Sequence, residues 1–288
     1  MSGLRRPCSL CLLAALLSAG YAAAQQAATK PLVPRQASYA QVCGLRMYYR
    51  LYGHGRPLLL LHGGGMTTEE SFAGQPAYFA SSRMIVAPEQ MGHGRTRDID
   101  GPLDYVAMAE QTAELLGQLH ISGADVLGWS DGGIVGLLLA VRHPDLVGRL
   151  AVSGASTRPV RDALTSQALA ELEAWKPQEN REGQARYARL FADSARHHPV
   201  FIGKLKDMWF HQPTERELGT AALAKITAPT LVIAGDQDAI RLEHTLDLYH
   251  AIPKAQLLIV PGTGHDTVVK RAAWLNPILQ TFFDEPRP

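Results

Sequence analysis

Cysteine is scarce in this chain of 288 residues: Cys8 and Cys11 lie near the N-terminus, and Cys43 is the only other one. Once the first two are removed with a leader, no internal disulfide can form, so stability has to come from packing. Cys43 reads as a packed thiol in a strand, without a catalytic role. Runs of like charge are also missing, and the formal net charge is +1. That excludes the electrostatic footprint expected of a partner to nucleic acid or to an anionic membrane surface, and points to a small molecule. Long apolar runs are missing too. The N-terminal stretch Leu10 to Leu17 falls well short of the roughly 20 residues that span a bilayer core. Behind the basic pair Arg5-Arg6 and before the small residues Ala22-Ala23-Ala24, it reads as the core of a secretory signal peptide, residues 1–24. An uncleaved anchor is the alternative reading. The expected mature chain, 25–288, is exported to the periplasm or the medium, with no stable membrane insertion after signal cleavage. It has no internal repeat and no low-complexity tract, and its length suits one domain.

What is present is an alternation of strands and helices. Tyr39 to Tyr52 reads as a hairpin around Gly44. Pro57 to His62 is a short apolar run ending in glycines, the pattern of a strand covered on both faces. Met84 to Pro88 repeats it. From Tyr105 to Leu119 the apolar positions recur at helical spacing. The segment Asp125 to Trp129 predicts a strand, Gly132 to Arg142 a helix and Leu150 to Ser153 a strand. Between about 156 and 222 the pattern changes to helices without strands, among them Ala163 to Trp175 and Ala185 to Ala195, and predicts a helical cap inserted into the sheet domain. Alternation resumes with Thr230 to Ala234, a helix around Leu242 to Tyr249, Gln256 to Val260 and a last helix ending near Phe283. The fold class is α/β, a mostly parallel central sheet flanked by helices.

Gly128-Trp129-Ser130-Asp131-Gly132 fits the G-x-S-x-G pattern and stands between a predicted strand and a predicted helix, where a tight turn projects a serine hydroxyl from the sheet. A serine hydroxyl needs a base, and the base needs an acid to fix its tautomer. His265, in Gly262-Thr263-Gly264-His265-Asp266, stands out among eleven histidines by its place in the expected order Ser, Asp, His. Gly235-Asp236-Gln237-Asp238 supplies the acid. Asp238 is preferred, since Asp236 stands where a carboxylate ties up turn amides, but both stay open. Oxyanion donors are expected from the backbone of Asp131 and of the His62-Gly63-Gly64-Gly65 loop, with Gly64 ahead of Gly65 and His62 as a loop-shaping hydrogen-bonder.

These motifs, with Gly92-His93-Gly94-Arg95-Thr96, resemble the α/β-hydrolase superfamily over essentially the whole mature chain. Gly-Trp-Ser-Asp-Gly-Gly is similar to its biphenyl-hydrolase-like and valacyclovir-hydrolase branch. The resemblance implies an α/β-hydrolase fold, no cofactor and no metal, and Asp238 as the acid. It also implies cleavage of small carboxylic esters, thioesters or lactones by a Ser-His-Asp triad through an acyl-enzyme. Cofactor-free perhydrolase or haloperoxidase-type chemistry and a non-catalytic small-ligand receptor are the alternatives. Two substrate contacts are expected: the Asp131 carboxylate, which could pair with a substrate ammonium or instead point into the helix N-terminus or to a loop partner, and Trp209 of the cap.

Overall fold

The computed structural model describes residues 32–286 apart from 73, 177–180 and 194. The expected signal peptide lies outside these residues. In chain order the strands are β1 (Gln36–Val42), β2 (Leu45–Tyr52), β3 (Arg56–Leu61), β4 (Arg83–Pro88), β5 (Ala124–Trp129), β6 (Val147–Ser153), β7 (Thr230–Gly235) and β8 (Ala255–Val260). They form one eight-stranded sheet of order β1-β2-β4-β3-β5-β6-β7-β8. The pairings β1/β2 and β2/β4 are antiparallel and the rest parallel. This is the α/β-hydrolase fold.

The helices before β7 are α1 (Thr68–Ser71), α2 (Gln75–Phe79), α3 (Tyr105–Gln118), α4 (Asp131–Arg142), α5 (Val160–Ala163), α6 (Ser166–Ala174), α7 (Arg181–Leu190), α8 (His198–His211), α9 (Glu215–Leu218) and α10 (Thr220–Leu223). After it come α11 (Leu242–Ala251), α12 (Thr267–Lys270) and α13 (Ala272–Asp284). The all-leucine run of β3 shows why the sheet needs cover on both faces. Leu59 and Leu61 join a core with α3, α4 and the insert, while Leu58 and Leu60 join one with α13 on the other side. Alternating side chains project to opposite faces, so a strand apolar at every position is stable only between two layers, each buried leucine contributing about 1.5–3 kcal/mol.

Helices α5 to α10 lie between β6 and β7, with no strand among the described residues there. The expected helix from Ala163 to Trp175 is divided. Leu164 turns to extended backbone and bridges Ile240, and Thr165 restarts the helix by accepting the Ala168 N–H at 3.2 Å. Two backbone bonds tie this break to the loop after β7: Thr165 N–H to Ala239 O at 2.9 Å and Arg241 N–H to Ala163 O at 2.9 Å. The helix expected at Ala185 to Ala195 runs earlier, over Arg181–Leu190, because at Ala192 the backbone turns away to donate to Gly94 O.

Cys43 departs from expectation. It is exposed, sits in the turn between β1 and β2 at φ 45°, and its thiol and backbone N–H both approach the Glu114 carboxylate. Gly44 beside it was readable as a turn signal, and the turn extends one residue further back.

Helix α4 packs so closely on β3 that a Cβ on Gly132 would lie 2.0 Å from the Leu61 carbonyl oxygen and 2.7 Å from that of His62. Both obstacles are backbone, so neither can swing aside. Gly132→Ala is therefore expected to cost about 3 kcal/mol, the upper range for overpacking, read as a lowered urea midpoint with unchanged slope. An unchanged midpoint would show that the strand and helix are not held this close.

Candidate active site

Parallel strands β5, β7 and β8 end on one edge of the sheet, and the loops that follow them carry Ser130, Asp238 and His265. Ser130 occupies φ 54°, ψ −121°, a region that side chains rarely adopt. Its backbone is held from both directions: its N–H donates to Ser153 O at 2.8 Å, and its carbonyl accepts from Gly133 at 2.8 Å and Ile134 at 3.1 Å. The strained turn leaves the serine side chain partly exposed above the sheet.

His265 stands between the other two. Its Nδ1 is 2.8 Å from Asp238 Oδ1 and its Nε2 is 2.9 Å from Ser130 Oγ. An ionised carboxylate only accepts, so Nδ1 carries the proton, and in the neutral ring Nε2 then accepts from the serine hydroxyl. Asp238 is aimed by its own turn, Oδ1 also accepting the Ile240 N–H at 3.0 Å. Asp236 points elsewhere and accepts the Thr263 N–H at 3.2 Å, so the two carboxylates divide between base and backbone. Two features keep the imidazole in place. The Trp129 indole N–H donates to the His265 carbonyl at 2.7 Å. At Gly154, with φ 59°, a Cβ would lie 2.8 Å from the imidazole Cε1, so only glycine leaves the ring room.

The glycine loop after β3 crosses above the serine. A Cβ on Gly63 would lie 3.6 Å from Ser130 Cβ, and one on Gly64 would collide with the Asp131 carboxylate and approach the Trp209 ring. Gly63 N–H donates to Ser71 Oγ at 3.1 Å and Gly65 N–H to His93 Nε2 at 2.9 Å. That leaves the Gly64 N–H, which has no acceptor among the described residues. Asp131 opens α4, so its N–H belongs to the first-turn amides that have no intrahelical acceptor. His62 shapes the loop: Nδ1 lies 2.9 Å from Gly63 O, and Nε2 accepts the Gln90 N–H at 3.0 Å. Burial brings its pKa down to about 4, so the ring stays neutral and keeps that acceptor.

The Asp131 carboxylate is buried and already partnered. Oδ1 accepts the Tyr105 hydroxyl at 2.8 Å, and both oxygens face the Trp209 indole N–H, at 3.0 and 2.9 Å. Burial pushes this carboxyl above the ordinary range, while the two donors and His265 pull it back. The Asp131 carboxylate is therefore tied to donors on two helices, Tyr105 at the start of α3 and Trp209 on α8. The sequence offered no route to Tyr105, which reads as an apolar helix position until its hydroxyl is seen at Asp131. Nor did it single out Trp129, whose indole N–H links the serine turn to the histidine loop.

Burial works against a charged His265. The charge and hydrogen bond of Asp238 outweigh it, helped by Asp266 and Asp131, and hold the imidazole pKa above its ordinary 6.5. An NMR pH titration of the His265 ring is expected to show a midpoint above 6.5, and Asp238→Asn a lower one. A midpoint indifferent to that substitution would mean that the carboxylate does not control the ring.

Comparison with known proteins places these loops in a wider context. Residues 58–277 match the alpha/beta hydrolase family. A 2-hydroxymuconate semialdehyde hydrolase of Pseudomonas putida is 29% identical over 268 residues, covering 84% of this chain and 92% of its own. The human serine hydrolase BPHL is 24% identical over 249 residues, covering 84% of each chain. Among solved structures, a meta-cleavage product hydrolase from Pseudomonas fluorescens aligns with a TM-score of 0.69 at 21% identity, covering 88% of this chain and 98% of its own. At that identity the likeness concerns the fold. The family match runs from the first parallel strand into the last helix, through the loops that carry Ser130, Asp238 and His265: this chain belongs to the alpha/beta hydrolase family.

Proposed function

We propose that the protein hydrolyses a small carboxylic ester, thioester or lactone through an acyl-enzyme at Ser130. The observation that carries this reading is the continuous hydrogen-bonded line from Ser130 Oγ through the His265 ring to Asp238, at 2.9 and 2.8 Å. Serine is a poor nucleophile unless a base takes its proton as it attacks, and a ring held with Nε2 toward the hydroxyl is poised to do that.

In this mechanism Ser130 Oγ bonds to the substrate carbonyl carbon while its proton passes to His265 Nε2. The carbonyl electron pair moves onto oxygen, and the resulting anion faces the N–H groups of Gly64 and Asp131. Collapse of the intermediate breaks the bond to the leaving alcohol, which takes the proton from His265. Water then repeats the sequence, giving its proton to His265 and its oxygen to the acyl carbon, and Ser130 recovers its hydrogen as the acid departs. Asp238 remains ionised throughout and steadies the imidazolium.

The acyl group's identity is a separate matter. Because the Asp131 carboxylate is spent on Tyr105 and Trp209, neutral esters are the expected substrates, ahead of those bearing an ammonium group. The relative at 29% identity carries the name of a hydrolase of 2-hydroxymuconate semialdehyde, so that compound belongs in the panel beside esters.

The test is release of p-nitrophenol from short- and medium-chain esters over a pH series. Wild-type protein is expected to turn over, with a rate that rises with pH through the His265 pKa, since only the neutral ring accepts a proton. Ser130→Ala is expected to lower kcat/KM by at least about a thousandfold. Wild-type protein inert toward the whole panel, or an active Ser130→Ala, would overturn the reading; the first outcome would leave a ligand receptor on the same fold as the better account.

A further inference from the structure

A loop of three glycines has no side chains with which to hold itself, and each of its peptide planes turns easily. The oxyanion site proposed above needs one of those planes, the one carrying the Gly64 N–H, to keep a single direction. The loop's external bonds therefore matter more than its sequence, and one of them comes from the helical insert.

Arg186 lies on α7. Its Nη2 donates to the Gly65 carbonyl at 2.9 Å and to Glu70 Oε2 at 2.7 Å, and its Nε donates to Glu70 Oε1 at 2.6 Å. Glu70 in turn accepts the Thr67 N–H at 2.8 Å, closing the capping box of α1 directly after the glycine loop. The two side chains are only 16% and 12% exposed, so solvent weakens the pair little.

The consequence follows from which atoms share a peptide plane. Gly65 C=O and Met66 N–H are opposite edges of one plane, and Arg186 holds the first. The Met66 N–H donates to Gly63 O at 3.3 Å. Gly63 C=O and Gly64 N–H are opposite edges of another plane, two earlier along the chain. The guanidinium therefore reaches the Gly64 N–H through two rigid planes and one hydrogen bond. The insert also grips the other side of Gly65. His93, which accepts the Gly65 N–H, packs its ring 5.0 Å from Phe201, and Phe201 lies 5.5 Å from Tyr187, the neighbour of Arg186.

We propose that Arg186 is a positioning residue for the oxyanion site: held on the helical insert, it fixes the glycine loop so that the Gly64 N–H faces the reacting carbonyl. The inference rests on the hydrolase reading and adds that catalysis requires the insert to be seated on the loop. Arg186 touches no reacting atom in this account. Lysine is not an adequate substitute, because an ammonium lacks the planar fork that reaches a carbonyl and both carboxylate oxygens together.

The experiment compares wild type, Arg186→Lys, Arg186→Met and Ser130→Ala. It follows the second-order rate of labelling by a fluorophosphonate, whose phosphoryl oxygen takes up negative charge at the same amides, along with kcat and KM on one p-nitrophenyl ester. Arg186→Lys keeps a positive charge beside Glu70 and decides the matter if Arg186→Met fails to fold, with a thermal melt for each variant as the check. Expected are labelling and kcat both lowered by about tenfold or more, a fraction of what losing an entire oxyanion donor costs, at a KM within about twofold of wild type. A purely structural role would lower the melting temperature without this split between kcat and KM. Labelling of folded Arg186→Lys at the wild-type rate, or a raised KM with kcat intact, would overturn the proposal. Wild-type protein that resists labelling would instead remove the hydrolase reading beneath it.

Discussion

The site depends on the close passage of α4 against β3, with Ser130 at the turn that makes it possible. Because Gly132 lies against the Leu61 and His62 carbonyls, the helix can start directly beneath the glycine loop. The strain at Ser130, with φ 54°, is what so abrupt a strand-to-helix turn requires, and hydrogen bonds to both its N–H and its carbonyl offset it. Two functional consequences share this cause. The hydroxyl projects toward His265, and α4 opens beside the glycine loop, where a Cβ on Gly64 would collide with the Asp131 carboxylate. A looser crossing would separate Ser130 from the glycine loop that passes over it.

Much of this was legible in the sequence, for definite reasons. The leucine run of β3 and the αβ alternation after it announce a doubly covered parallel sheet, since such strands cannot face water. Ser130, Asp238 and His265 were legible because each follows an apolar strand whose end leads to the same edge. Asp236 and Asp238 were separable in part, because a carboxylate just past a strand so often serves a turn, and Asp236 does accept the Thr263 N–H. What stayed hidden is whatever depends on distant partners. Composition gave no sign that Leu164 would leave its helix to bridge Ile240, that Cys43 would lie exposed at the Glu114 carboxylate, or that Tyr105 would place its hydroxyl on Asp131. Arg186 stands in a stretch of ordinary charged helix, and only the fold brings it to the glycine loop.

The insert is bound to loops that make up the candidate site. Its start is hydrogen-bonded to the loop that carries Asp238, through Ala163 and Thr165. Its α8 helix reaches Asp131 through the Trp209 indole. Its α7 helix reaches Gly65 and Glu70 through Arg186. The loop carrying Asp238, the turn carrying Ser130 and Asp131, and the glycine loop are all contacted by the insert, so movement of the insert would act on all three together. The buried Asp131 carboxylate gains most from this arrangement, since a desolvated charge is tolerated only with donors at hand, and one of its two donors comes from the insert.

The central proposal is that a carbonyl attacked by Ser130 delivers its oxygen to the N–H groups of Gly64 and Asp131. The most direct measurement is a crystal structure of the protein after reaction with a small phosphonate. The account predicts a bond from Ser130 Oγ to phosphorus, with the phosphoryl oxygen about 2.7–3.1 Å from both the Gly64 and Asp131 nitrogens. A phosphonate on another residue, or one on Ser130 whose oxygen turns away from the glycine loop, would contradict it.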